Sequence, residues 1–281
     1  MDGLAWRLKK ILRGKNGRSL VVAVDHGMAL GPIKGLEAVK DTLDRLEATG
    51  YVDAWLLTKG ILRYAFEPQG FPGLIVRMSG GATIAGPELT REGLTASVEE
   101  ALAAGADAVA VSAFIGSPYE HETLVGLAKA AGSCRRWNVP LLGVAGLGKT
   151  NEDKKKDPRF IALGARVLAE HGADLVKTYY TEEDFERVTA GCPVPVLIAG
   201  GPKCETELDT LKMIGGALEG GAAGVVMGRN VWQSSCPEAL LAAVHGLIHG
   251  GLKVKEAHEL YTEMKEKKLE LYGKKFSCLN F

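Results

Sequence analysis

Residues 103–111 read AAGADAVAV: a helical stretch ends, a glycine turns the chain, and an apolar β-branched run begins. The same junction recurs as ATGYVDA at 48–54, EHGADL at 170–175 and EGGAAG at 219–224. Glycine takes the left-handed cap that lets a helix drop straight into the next strand. Eight short runs rich in Val, Ile and Leu are spaced along the chain. They are Leu20–Asp25, Ala54–Lys59, Leu74–Met78, Ala108–Ala113, Pro140–Val144, Asp174–Thr178, Val196–Ala199 and Gly224–Gly228. Continuous rather than alternating apolar character marks strands covered on both faces, as in parallel sheets. Helical spacing fills most of the intervals: Leu36–Ala48, Leu94–Ala104, Glu122–Trp137, Arg159–Glu170, Thr206–Glu219 and Pro237–His249, with a shorter helix near Glu183–Thr189 and a short segment at Ile61–Pro72.

Eight alternations over about 230 residues are the count of an α/β (β/α)8 TIM barrel. An open doubly wound sheet is the alternative that the same alternation allows. No Pro/Ser-rich linker interrupts the 281 residues, so the expectation is one TIM-barrel domain over 1–281, with the barrel at about 19–250. A basic N-terminal helix (Met1–Lys15) and a charged helical tail (Lys253–Phe281) lie outside the barrel.

The 34 basic and 34 acidic side chains cancel, which argues against a nucleic-acid partner. Five scattered cysteines (Cys134, Cys192, Cys204, Cys236, Cys278) form no CxxC pair and read as reduced thiols of a cytoplasmic protein. No apolar stretch is long enough for a membrane span or a signal peptide.

A barrel of this type carries its chemistry at the C-terminal ends of its strands. That rule selects Asp25, His26 and Gly27 after the first strand, Lys59 after the second, and Arg77 and Ser79 at the third. It adds Lys177 followed by Thr178, Tyr179 and Tyr180 at the sixth strand, Gly200, Gly201, Pro202 and Lys203 after the seventh, and Gly228, Arg229 and Asn230 after the eighth. The loops after strands seven and eight are where barrels commonly hold a phosphate, with backbone N–H groups, glycines and a helix N-terminus. Gly200, Gly201 and Gly228 supply that material, and Arg229 adds a charge-assisted bond. The same glycines are also what plain tight turns would need.

A lysine that forms a Schiff base must be neutral part of the time, although its free pKa is about 10.4. Burial and neighbouring cations both lower that value. Lys177 follows Leu175 and Val176, and the strand-end rule surrounds it with Lys59, Arg77 and Arg229. Three readings stay open on the residues alone: Lys177 as nucleophile, Lys177 as a phosphate-binding point charge, or Lys59 as the nucleophile.

Two motifs point elsewhere. Gly143–Thr150 reads GVAGLGKT, a match to the phosphate-loop pattern GxxxxGK[ST] of nucleotide hydrolases and kinases. That motif needs a helix starting at its lysine, whereas NEDKKKDPRF follows, polar and interrupted by Pro158. The stretch also falls where the fifth barrel strand is expected, so Lys149 is placed among the substrate-binding residues instead. His245 and His249 have the i, i+4 spacing of paired metal ligands. HGLIH lacks the glutamate of HExxH, however, and sits on an outer helix, so both are read as structural and no metal is expected.

Taken together, AVDHG (23–27), GADLVKTYY (172–180), CPVPVLIAGGPK (192–203) and GVVMGRNVWQS (224–234) resemble the archaeal-type class I, Schiff-base aldolases. The resemblance runs over roughly Leu20–Tyr261. That group includes fructose-bisphosphate aldolases, aminodideoxyheptulosonate synthases and the thiolase that breaks down phosphorylated autoinducer-2. The resemblance implies a Schiff base on Lys177, Asp25 at the reacting centre, and a phosphate site of Gly200, Gly201, Gly228 and Arg229. It further implies a phosphorylated ketone as substrate and a homo-oligomer, often decameric. Aldolases of the group carry YPRG after the fifth strand, whose tyrosine serves as acid and base. Here that place reads VAGLGK (144–149), which is similar to the thiolase branch, as are GILRYAF (60–66) and IGSPYEHETL (115–124). With that tyrosine missing, His26 or Tyr179 is left to move the proton. Arg77 and Lys203 join Lys59 and Lys149 as further substrate contacts, no cofactor is implied, and coenzyme A is the co-substrate of the thiolase version. A sugar-phosphate-binding barrel without turnover remains the non-enzymatic alternative.

Overall fold

The computed structural model describes residues 2–277 except 15, 68, 69 and 71; of residues 149, 150, 152 and 269–277 it describes the backbone alone. Cys278 and the end of the tail therefore lie outside the described residues.

Eight parallel strands close into a barrel in chain order. They are β1 (Ser19–Ala23), β2 (Ala54–Thr58), β3 (Gly73–Arg77), β4 (Ala108–Ile115), β5 (Leu141–Leu147), β6 (Leu175–Thr178), β7 (Val196–Ala199) and β8 (Gly224–Met227). β8 pairs with β1 in parallel, Ser19 opposite Gly224, and that pairing rules out an open sheet.

Alternate residues of each strand face opposite sides. Val21, Ala23, Ala54, Leu56, Ile75, Ala108, Ala110, Leu142, Leu175, Leu197 and Val226 fill the barrel interior as one buried cluster. The residues between them, such as Leu20, Trp55, Val76, Val109, Val176 and Ile198, pack under the surrounding helices. Both faces are dry, which is why the runs read as continuously apolar.

The bottom of the barrel is closed by α1 (Gly3–Ile11). Ile11, fully buried, joins the interior cluster with Leu8 and Leu12 against it. Gly73 makes this approach possible, since a Cβ there would stand 2.7 Å from Ile11 Cδ1 and from the Lys10 carbonyl oxygen. Three aspartates just ahead of β2, β4 and β6 clamp the same end. Asp53, Asp107 and Asp174 accept from the backbone N–H of Leu20, Leu74 and Leu141 at 2.7, 3.1 and 2.9 Å. His249 Nε2 lies 2.7 Å from Asp53 Oδ2, so the histidine pair of the HGLIH stretch belongs to this bottom layer. Among the described residues no cluster of three or more His, Cys, Asp or Glu side chains is placed to hold a metal.

Helices follow most of the spacing, with shifts of a few residues. α3 (Val39–Glu47), α5 (Val98–Ala103), α6 (Glu120–Trp137), α7 (Pro158–Glu170), α8 (Phe185–Gly191), α9 (Glu207–Glu219) and α11 (Pro237–Ile248) form the outer ring, and α12 (Val254–Ser277) is the tail helix. Leu94, expected at the head of a helix, instead belongs to a two-residue antiparallel ribbon, Ser79–Gly80 with Gly93–Leu94. Pro158 starts α7 rather than breaking a helix: it sits in the first turn, where no N–H is missed, and Asp157 caps it. A 3-10 helix, Lys149–Lys156, does begin at the lysine of the GVAGLGKT stretch. Residues 143–147 nonetheless lie inside β5, paired in register with Val111–Ile115. A phosphate loop needs that stretch free to wrap an anion, so the nucleotide-hydrolase reading is excluded. No helix among the described residues is long and apolar enough to cross a membrane.

Candidate active site

Carrying the interior parity two residues past the hydrophobic layer predicts which side chains meet at the top of the barrel. Ala23 leads to Asp25, Ile75 to Arg77, Ala110 to Ser112, Leu142 to Val144, Leu175 to Lys177, Leu197 to Ala199 and Val226 to Gly228. All of these line one cavity of about 280 Å³, together with His26, Glu92, Tyr179, Gly200, Gly201 and Arg229.

Lys177 is the amine of this cavity. Burial disfavours its charged form, and Arg77 and Arg229 push the same way against Asp25, so its pKa lies below the ordinary lysine value. Burial alone would raise the Asp25 carboxyl, but the charges of Arg77, His26 and Lys177 outweigh it and hold Asp25 below the usual range. Asp25 is therefore a fixed anion beside an amine that loses its proton readily.

His26 follows Asp25 and immediately precedes α2 (Gly27–Leu30), without a capping hydrogen bond from its side chain. Its Nδ1 lies 3.5 Å from Asp25 Oδ1, and its ring meets Trp232 edge-on at 5.4 Å. Burial pushes its pKa down to about 4; Asp25 works against this, and Lys177 and Arg229 with it. At neutral pH the imidazole is thus uncharged and available as a base. Gly228 makes room for it, because a Cβ at 228 would lie 2.4 Å from His26 Cε1. Burial raises the Tyr179 phenol, with Arg229 opposing, so that hydroxyl keeps its proton.

Arg77 is 8% exposed and fully engaged. Its Nη1 donates to Asp25 Oδ2 at 3.2 Å, its Nη2 to both oxygens of Glu92 at 3.1 and 2.9 Å, and its Nε to Ser79 Oγ at 3.1 Å. Ser79 also donates to Glu92 at 2.8 Å. Two carboxylates thus share one guanidinium, a clamp within the same cavity in which Arg77 was expected as a substrate contact. Glu92 and Ser112 were not anticipated. Ser112 shares the parity of Ala110 and was legible on that ground; Glu92 comes in from the loop before Gly93 and carried no local signal.

Lys59 is corrected. Lys59 is the first residue of α4 (Lys59–Ala65), one residue off the interior parity set by Leu56, and does not line the cavity. Its Nζ donates to the Thr95 carbonyl at 2.8 Å and to Glu100 at 3.2 Å, half exposed on the barrel's outside. It neither competes as nucleophile in this cavity nor adds charge beside Lys177. Lys203 lines an adjoining cavity rather than this one. The Lys149 side chain lies outside the described residues.

The loops after β7 and β8 are tied together by Asn230, fully buried at the start of the short helix α10 (Arg229–Trp232). Its Nδ2 donates to the Gly200 carbonyl at 2.7 Å and its Oδ1 accepts from the Cys204 N–H at 2.8 Å. Gly201 has φ of +64°, which leaves its side of the turn open. At the end of β5, Gly146 is packed against Phe114: a Cβ there would stand 2.5 Å from the ring. Phe114 occupies the space that a larger side chain at 146 would need.

Comparison with known proteins matches this architecture throughout. The model of the DeoC/LacD family aldolases matches residues 19–234. An aldolase of Pasteurella multocida is 40% identical over 263 residues, 94% of this chain and 88% of that protein. The 3-hydroxy-5-phosphonooxypentane-2,4-dione thiolase of Enterobacter sp. strain 638 is also 40% identical, over 264 residues, 94% of this chain and 87% of the relative. Among solved structures, a Schiff-base-forming fructose-1,6-bisphosphate aldolase aligns with a TM-score of 0.79 at 30% identity, covering 88% of this chain and all of that one. This chain belongs to the DeoC/LacD aldolase family and is a class I, Schiff-base aldolase-type enzyme.

Proposed function

We propose that Lys177 is the Schiff-base nucleophile and that the enzyme cleaves a small phosphorylated diketone, passing the acyl fragment to a thiol. The observation that carries the reading is a buried amine of lowered pKa that shares one cavity with a carboxylate of lowered pKa, the glycine loops and Arg229. The substrate phosphate docks on the turns at Gly200, Gly201 and Gly228 and on Arg229. The Lys177 amine adds to a carbonyl and expels water, leaving an iminium ion. A thiolate adds to the second carbonyl, two carbons along the chain from the iminium carbon. The resulting alkoxide reforms its C=O, the bond from that carbon to the carbon between the two carbonyls breaks, and its electron pair moves into the iminium to give an enamine and a thioester. A proton returns to the enamine carbon, and water hydrolyses the imine and frees the lysine. His26, neutral at working pH, takes the thiol proton and Tyr179 supports its return, while Asp25 orients hydroxyls. The iminium is the electron sink, so the scheme calls for no metal; coenzyme A serves as the thiol.

Thiolysis is favoured over aldol cleavage of a ketose bisphosphate by the fifth strand, where Phe114 fills the space beside Gly146 and no tyrosine hydroxyl is supplied. Borohydride trapping tests the nucleophile. With the phosphorylated diketone, wild type gains one covalent adduct by mass spectrometry and Lys177→Ala gains none; an adduct that persists in Lys177→Ala ends this reading. Parallel incubations with fructose 1,6-bisphosphate, with and without coenzyme A, separate the two reactions.

A further inference from the structure

A second cavity, of about 710 Å³, adjoins the Lys177 cavity and shares Tyr179, Ala199, Gly200 and Gly201 with it. Four lysines line it: Lys155 and Lys156 from the 3-10 helix after β5, Lys203 from the loop after β7, and Lys212 from α9. Only two carboxylates, Glu182 and Asp209, share its lining among the described residues. Asp209 is occupied in a capping box, accepting from the Thr206 hydroxyl at 2.6 Å and from the Thr206 N–H at 3.2 Å. Glu182 is held by Lys156 at 2.6 Å. Glu207, 3.6 Å from Lys203, is already engaged by the Ser234 hydroxyl and the Ser235 N–H. Four lysines from three separate elements against two lining carboxylates leave the cavity lining with a net positive charge.

Tyr179 and Tyr180 line it as well, beside Pro202, Cys204 and Met213. Lys155 Nζ sits 5.4 Å from the Tyr179 ring centroid. Tyr180 meets Phe185 edge-on and lies across α9 at Gly216, where a Cβ would stand 2.2 Å from the phenol oxygen. A glycine at that position of the helix is what admits the Tyr180 ring.

The size of the Lys177 cavity supplies the next step. About 280 Å³ accommodates a five-carbon phosphorylated ketone but leaves no space for a nucleotide. A thiol co-substrate bearing a nucleotide must keep its tail elsewhere while its sulfur reaches the carbonyl. We propose that the lysine-lined cavity is the seat of that tail: it takes the phosphate groups of a nucleotide-bearing thiol on Lys156, Lys203 and Lys212, with the base against Tyr180. The thiol arm enters the Lys177 cavity past Tyr179 and the Gly200–Gly201 turn. Lysine suits this task as a flexible point charge on phosphate, and an aromatic ring gives any purine a stacking face. The inference rests on the thiolase reading for the identity of the tail, while the anion site itself stands on the geometry.

Binding measured without turnover keeps the two apart. The probe is adenosine 3′,5′-bisphosphate, titrated calorimetrically into the full-length enzyme, into the exposed-lysine double variant Lys156→Ala/Lys212→Ala, and into Lys40→Ala on α3 as a control at a surface lysine outside the cavity. The expected result is binding to wild type and to Lys40→Ala, weakened at least tenfold in the double variant. In turnover the KM for coenzyme A rises by a similar factor, while borohydride trapping of the diketone is unchanged. Equal binding of the probe to the double variant, or none to wild type, overturns the proposal. So does a double variant whose KM rises for fructose 1,6-bisphosphate instead, since the lysines would then hold a sugar phosphate. Probe binding that depends on the lysines in an enzyme that forms no acyl-coenzyme A supports the anion site and sinks the thiolase reading alone.

Discussion

Replacing Arg77 by Met tests whether the guanidinium is a clamp or a substrate contact. Methionine keeps most of the apolar stem but leaves Asp25 and Glu92 buried without their shared cation. Removing one partner of a buried ion pair costs about 3–5 kcal/mol, because an uncompensated charge stays behind. For a chain of this length each kcal/mol lowers Tm by about 2 °C, so the expected loss is roughly 6–10 °C at pH 8. The pH dependence gives the sharper signature. In the native protein the Asp25 pKa is lowered, so its contribution to stability is present above the unfolded value and lost as pH falls through the folded one. Without Arg77 the largest lowering influence is gone and burial, which raises the pKa, is opposed only by the rest. The Asp25 contribution then shrinks or reverses sign, and the gap between Arg77→Met and wild type is smaller at pH 4.5 than at pH 8. Thermal unfolding followed by circular dichroism at the two pH values measures this directly. A pH-independent loss of under 2 °C, combined with a hundredfold rise in KM, would refute the clamp and return Arg77 to the substrate.

Three further outcomes follow from the same geometry. His26 binds its proton at about pH 4 when folded but near 6.5 when unfolded, so acidification through that window favours the unfolded state by about 3 kcal/mol; urea denaturation of His26→Gln is expected to lose stability less steeply between pH 7 and 4.5, and parallel curves would count against a buried neutral imidazole. Gly146→Tyr drives a side chain into Phe114 and costs about 1–3 kcal/mol; adding Phe114→Ala is expected to raise the Tm of Gly146→Tyr, and a further fall would show that the two positions do not compete. Lys59→Ala removes half-exposed contacts to the Thr95 carbonyl and Glu100 and shifts stability by under about 0.5 kcal/mol; trapping and kcat are expected to match wild type, and loss of trapping would restore Lys59 as a nucleophile.

What could be read from the sequence follows the range over which each signal acts. The helix–glycine–strand junctions are local, so seven of the eight strands emerged within two residues and β5 ran three further, to Leu147; their number favoured closure, and the β8–β1 pairing decided it against an open sheet. The strand-end rule then placed Asp25, Lys177, Gly200 and Gly228 around one cavity without knowledge of any contact. Its failure at Lys59 came from neglecting the two-residue period: Leu56 is interior, so the residue three further on cannot be. Applied strictly, that parity separates Lys59 from Lys177 and also selects Ser112, which strand ends alone did not. Glu92 is a different case. It reaches Arg77 across 15 residues, through a ribbon of two residues per strand whose pairing is too short to leave a periodic trace. Arg77 thus looked like a free cation, because the sequence shows a charge but not the partner that neutralises it. The same holds for Phe114 and Gly146: the lack of a tyrosine in VAGLGK was visible, but only the register of β4 and β5 shows that an aromatic ring from the neighbouring strand stands where a side chain at 146 would go. Positions 114 and 146 are therefore coupled: a larger side chain at 146 requires a smaller one at 114, so β4 and β5 together decide what can line this part of the cavity.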